Sequence, residues 1–280
     1  MTEERSIARM LAEIDRRIIY LLLFIVVTVP ILRPVAMPLA VSPDTKQYYK
    51  VLNALGPDDI VLFVLDTEFS GYMEIQSGVL ASARLIIEKG AKMAIACSHP
   101  EATGIPPMMF SYLRDVMKRY DYKYGEDYVV LGYIFPNEAA VASSAQDFHG
   151  VVKEDWQGRP IKGTFLDRIH DWKDWSLIAI FSTGVRSDAF IRHYGLRGTP
   201  MIINCIGVMI PTTKPYVDTG IFEALLPSMR GGAELEKLIN APGPGLAAMD
   251  CFTFGHYLVI IFIIIANIGY FGYVRRRAER

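Results

Sequence analysis

Two apolar runs, Ile18–Ile31 and Phe252–Val274, bracket this chain and constrain what everything between them can become. The second holds about 23 residues without an Asp, Glu, Lys or Arg, enough for a helix to cross roughly 30 Å of hydrocarbon. It stops at Arg275, Arg276 and Arg277. The first reads IIYLLLFIVVTVPI after Arg16 and Arg17. Counted through Pro30 and Arg33 to Val41 it spans as well, with Arg33 reaching back to the far surface. Basic clusters at both outer ends place both termini in the cytoplasm and the middle of the chain outside. The predicted order is a cytoplasmic amphipathic segment (1–17), a first transmembrane helix (18–41) and an extracytoplasmic domain (42–240). A Pro/Gly tether (241–251), a second transmembrane helix (252–274) and a basic cytoplasmic tail (275–280) complete it. The alternative for the first run is a cleaved signal peptide, with small residues at Ala36 and Ala40. Against that, Ile7, Met10, Leu11, Ile14 and Ile18 keep helical spacing, which predicts a helix lying on or running into the membrane.

Composition narrows the function classes. The net charge is −1 and no basic stripe carries interleaved aromatics, so nucleic acid is not an expected partner. Three cysteines outside the cell do not make a disulfide framework; Cys97 and Cys205 fall inside apolar runs and read as small buried hydrophobes. The five histidines are scattered and no CxxC or HExxH spacing occurs, so neither a metal nor a cofactor is expected.

Between the spans, strand and helix patterns alternate. The expected strands are Asp59–Leu65, Lys92–Cys97, Tyr128–Tyr133, Trp175–Phe181 and Pro200–Met209. The expected helices are Gly71–Lys89, Met108–Tyr120, Glu138–Ala145 capped by Asn137, Asp188–Tyr194, Lys214–Leu226 and Ala233–Ile239. Wholly apolar strands separated by amphipathic helices predict an α/β fold with a parallel sheet covered on both faces. The expectation is a doubly wound, five-stranded, Rossmann-like or flavodoxin-like sandwich of order 2-1-3-4-5. The segment Ala145–Asp174 does not fit the alternation. Its Trp156, Phe165 and Trp172 are costly to leave in water, so they are candidate interface anchors.

In such a sheet, ligands bind beyond the carboxyl ends of the strands. The candidate ligand-binding residues are Asp66, Ser98, His99, Ser182, Thr183, Gly184, Arg186 and Asn204. STGVRS, leading into a helix, suits an anion, although Ser and Thr also simply cap helices there. Asp66 with His99 would make an acid–base pair were their strands adjacent. LDTEFSG after the first strand lacks the glycines that approach to a pyrophosphate requires, and no GxSxG elbow or Walker loop is present. No catalytic set is assigned.

YGEDYVVLGY at Tyr124–Tyr133 and PYVDTGIFEALLPSMRGGAELE at Pro215–Glu236 resemble an uncharacterised group of prokaryotic membrane-anchored proteins. That resemblance implies a Rossmann-like domain held between terminal spans and brings no catalytic residues. The alternation also looks like one lobe of a type I periplasmic binding protein, an analogy of fold alone. Read by themselves, GED is a turn into a strand and MRGG is a helix end followed by a new start.

Asn267 is the one strongly polar side chain inside the second run, with Gly269 and Gly272 beside it; these are candidate helix-packing residues. The partner would be the first span or a neighbouring copy. The leading expectation is a non-catalytic structural or interaction subunit in the cell membrane, partnered by the bilayer and by itself or other membrane proteins. A small-molecule or anion-binding module is the alternative, followed by an extracytoplasmic hydrolase or transferase.

Overall fold

The computed structural model describes residues 14–33, 35, 37–184 and 187–278, with side chains through 272. It divides into two compact units, Ala40–Gly245 and the terminal segments Met1–Leu39 with Leu246–Arg280.

The Ala40–Gly245 unit is an α/β sandwich on a six-stranded sheet. Its strands are β1 (Ile60–Asp66), β2 (Lys92–Cys97), β3 (Tyr128–Tyr133), β4 (Leu177–Ser182), β5 (Met201–Cys205) and β6 (Ala224–Pro227), in the order β3-β2-β1-β4-β5-β6. Every pairing is parallel. The sheet therefore has one strand more than expected, and the order 2-1-3-4-5 is incorrect. β6 lies hidden at the end of Lys214–Leu226, which reads as one amphipathic run. The helix there stops at Asp218, and a turn through Gly220 at φ +78° releases a four-residue strand.

Strand residues alternate between two cores because successive side chains leave opposite faces. Val61, Phe63 and Leu65 face helices α2 (Pro43–Asn53), α3 (Phe69–Glu88), α4 (Ile105–Arg119) and α9 (Ser228–Leu238). Ile60, Leu62 and Val64 face α5 (Glu138–Gln146), α6 (Phe148–Val151) and α7 (Ser187–His193), with α8 (Ile210–Asp218) packed at the margin.

The strand order explains the long Ala145–Asp174 segment. After β3 at the sheet edge the chain must pass β2 and β1 to reach β4, and it covers that face with Phe148, Val152, Ile161, Phe165 and Ile169. Phe165 is 8% exposed and lies in the domain core, and Trp172 packs on the same core. Trp156 is different, at 44% exposure. Its backbone N–H donates to Val130 O (3.0 Å), covering part of the β3 edge. Beside it, Gly132 at φ +76° follows a register shift between β2 and β3, and a Cβ there would meet Trp156 at 3.2 Å. Asp155 holds this loop in shape. It accepts from the Tyr124 hydroxyl (2.7 Å), Arg159 Nε (2.7 Å) and the Gln157 and Arg159 amides (2.8 and 2.9 Å).

In the other unit, α1 (Arg16–Leu32) is a 17-residue helix whose N-cap Asp15 accepts from Arg17 N. It ends at Leu32, soon after its internal Pro30, and among the described residues from Arg33 to Val41 none is helical. Among the described residues one helix is long and apolar enough to cross a membrane: Pro244–Gly272, within α10 (Pro244–Ala278). Asp250 on α10 accepts from Val35 N (2.7 Å) and Met37 N (2.9 Å), and Cys251 Sγ donates to Val27 O at 3.2 Å. The two apolar helices are thus joined within the unit. Asn267 donates to Ile263 O of its own helix, one turn back, and Gly269 is buried. α10 begins inside the expected Pro/Gly tether: Glu236 accepts from Gly243 N (3.1 Å) and Gly245 N (2.9 Å). The carboxylate holds amides at that helix start.

Candidate functional site

The strand order reverses between β1 and β4, where open α/β sheets place their ligands. Asp66 ends β1 at that point, directly beside Ser182 of β4, and is 3% exposed. Its carboxylate accepts from Ser98 Oγ (2.6 Å) and Ser182 Oγ (2.7 Å). Short charge-assisted bonds of this kind offset the cost of burying the carboxylate. They also stitch together the carboxyl ends of the three central strands.

Above this point side chains that follow β1 and β4 meet one another. Thr183 Oγ1 donates to Thr67 Oγ1 (3.1 Å), and Thr183 lies so close to Gly71 that a Cβ there would meet it at 2.8 Å. The amino end of α3, where a dinucleotide fold seats its phosphates, is occupied by a protein carboxylate: Phe69 N donates to Glu101 Oε2 at 3.0 Å. His99 caps the turn before α4, its Nδ1 accepting from Glu101 N (3.3 Å), while its Nε2 lies 3.8 Å from Glu68 Oε1. β1 and β2 are neighbours, so Asp66 and His99 stand at the ends of adjacent strands.

Of the expected ligand residues, the structure therefore brings Asp66, Ser98, Ser182, Thr183 and Gly184 together, with His99 nearby. Gly184 joins through its carbonyl and amide, both at the Ser182 hydroxyl. Arg186 lies outside the described residues. Asn204 is elsewhere: fully buried on β5, it donates from Nδ2 to Leu226 O (2.8 Å) and packs on Gly78 of α3. It holds β6 to the sheet.

Open space lies to one side, toward α5 and α7. A cavity of about 260 Å³ has Ser98, Phe135, Val141 and Phe190 among its walls and Asn137, Glu138 and Arg192 with them. Asn137 caps α5 as expected, accepting from Ala140 N at 3.0 Å. Glu138 and Arg192 form a two-bond pair, Nε to Oε1 and Nη2 to Oε2, each 2.8 Å, and His193 Nε2 lies 3.0 Å from Oε1. Arg192 first, then His193, lowers the Glu138 carboxyl to about 2. Sequence reasoning missed this group. Glu138 and Arg192 are 54 positions apart on separate helices, and only the strand order brings those helices together.

The two sheet-borne thiols are inert. Burial pushes Cys97 up to about 12 and Cys205 to about 11, keeping both protonated at neutral pH. Among the described residues no group of three or more His, Cys, Asp or Glu side chains could hold a metal. No family model matches the chain, and no curated protein or solved structure matches it.

Proposed function

We propose that this protein is a non-catalytic, membrane-anchored interaction subunit. In this reading its α/β domain is displayed outside the membrane between two spans with cytoplasmic termini, and it assembles with copies of itself or with other membrane proteins. The observation that supports it best is the bonding among the protein's own groups at the strand ends. Asp66, Ser182, Thr183, His99 and Glu101 each have a neighbour within the chain in a hydrogen bond. Two anchors on one small domain also suit an assembly part better than a free-standing receptor, which needs only one.

The surface favoured for assembly is the β3 edge. There Trp156 and Tyr133 stay substantially exposed and border a second cavity of about 190 Å³ with Thr103 and Pro106. Exposed aromatics beside a pocket are the usual anchors of protein interfaces. Trp156→Ala should weaken assembly by about 2 kcal/mol or more, roughly thirtyfold in dissociation constant. Light scattering on full-length protein in detergent should then show a lower assembly state at an unchanged melting temperature. A wild-type protein that native mass spectrometry finds monomeric and partner-free overturns the proposal. So does a Trp156→Ala variant that melts lower while keeping its assembly state.

A further inference from the structure

The cavity between α5 and α7 has a chemical character that the proposed assembly role does not use. Its floor is apolar: Phe135 and Phe190 meet edge to face, ring centres 5.1 Å apart, and Val141 lies with them. At about 260 Å³ it falls just below the roughly 300–1,000 Å³ of sites for drug-sized ligands, so its occupant is smaller than those.

The polar lining is unusual in being balanced. Glu138 and Arg192 carry opposite charges and are already joined, so a net anion gains from Arg192 what it loses to Glu138, and a cation meets the converse. A ligand carrying both charges meets no such conflict. Arg192 uses Nε and Nη2 on Glu138; among the described residues its Nη1 donates to nothing. A guanidinium has five N–H donors and a carboxylate about four acceptor sites, so both partners keep capacity while paired. A ligand carboxylate on Nη1 and a ligand ammonium on Glu138 would close a four-charge ring without breaking the existing pair. Asn137, whose Oδ1 is engaged by Ala140 N, keeps its Nδ2 donor for the same carboxylate.

We infer that this cavity binds a small zwitterion with an apolar side chain, an α-amino acid of leucine or phenylalanine size. Its charged head group lies along Glu138 and Arg192, and its side chain rests on Phe135 and Phe190. The site goes beyond the assembly reading and does not depend on it.

Calorimetric titration of the full-length protein in detergent tests this, with L-phenylalanine and L-leucine as probes. 3-Phenylpropanoate, which lacks the ammonium, and phenethylamine, which lacks the carboxylate, are the comparators. At least one amino acid should bind saturably, and both comparators should bind at least tenfold more weakly. Arg192→Gln and Glu138→Gln should each weaken the amino acid at least tenfold at unchanged melting temperature, since both side chains are about half exposed. Equal binding of 3-phenylpropanoate would make this an anion site. Equal binding of both comparators would make it a plain apolar cavity. Either result overturns the inference, as does the absence of binding by both amino acids. None of these outcomes bears on Trp156 or the assembly state.

Discussion

Glu234 is fully buried, on α9, and four donors converge on it. They are Ser42 N (2.9 Å), Ser42 Oγ (2.6 Å), Thr45 Oγ1 (2.7 Å) and Arg230 Nε (2.9 Å). Burial alone would raise this carboxyl; the Ser42 hydroxyl and amide, Thr45 and Arg230 outweigh it and hold it below its usual 4.5. A carboxylate with a depressed folded value contributes stability that is present above its unfolded value and lost as pH falls through the folded one. Acid unfolding should therefore begin to draw on Glu234 below about pH 4.5. Glu234→Gln removes the charge and should cost about 2 kcal/mol, or roughly 4–8 °C in melting temperature, while flattening the acid limb below that pH. An unchanged acid limb would show that the carboxylate is not the titrating element. None of this is legible in sequence. The α2 helix itself escapes notice there, because PDTKQYYKVLN follows an apolar run and carries a polar face. Ser42 caps it locally by accepting from Thr45 N, whereas the bonds to Glu234 form only when α9 is folded against it. Asp66 is legible, as a polar residue closing an apolar strand, but its structural role is not. That role depends on Ser98 and Ser182, which the strand order delivers.

At the scale of elements, the sequence reveals apolar strands well and short or glycine-bearing pieces poorly. β2 and β3 can be read to the residue, because a buried parallel strand is an unbroken apolar run bounded by turn residues. β6 has only four residues, too few to interrupt a helical pattern. MRGG looks like a helix end because glycine is a poor helix former, yet Gly231 and Gly232 lie inside α9. Their purpose is close approach. A Cβ on Gly232 would collide with Ser77 and meet Gly78 N at 2.6 Å, so the glycine lets α9 lie directly on α3. Gly232→Ala should therefore destabilise by about 1–3 kcal/mol despite alanine's better helix propensity. At Gly104 an added methyl group would have nothing within 4 Å, and the backbone is right-handed at φ −78°, so alanine should be accepted with no loss. Chemical denaturation of the two variants side by side distinguishes packing from propensity. Equal stability would show that α3 and α9 can separate without cost.

At the scale of the whole molecule, the membrane reading joins one observed feature to one electrostatic argument. Pro244–Gly272 is long and apolar enough to cross a bilayer. The proposed orientation rests on the basic residues outside both apolar runs. α1 is shorter, about 26 Å at 1.5 Å per residue, so reaching across the hydrocarbon would need residues beyond the helix or local thinning of the bilayer. The chain's own cysteines make orientation measurable. Cys97 and Cys205 are buried with raised thiol values, and Cys251→Ser removes the third, leaving a quiet background for a thiol probe. Val208 follows β5 and is 81% exposed, so Val208→Cys places a reactive thiol on the α/β domain without disturbing its core. In intact cells a membrane-impermeant maleimide should label Val208→Cys. A cysteine placed after Arg277 should be labelled only once the membrane is permeabilised. The reverse pattern would put the domain in the cytoplasm. Labelling of both positions in intact cells would leave the α10 segment uncrossed and remove the two-span arrangement altogether.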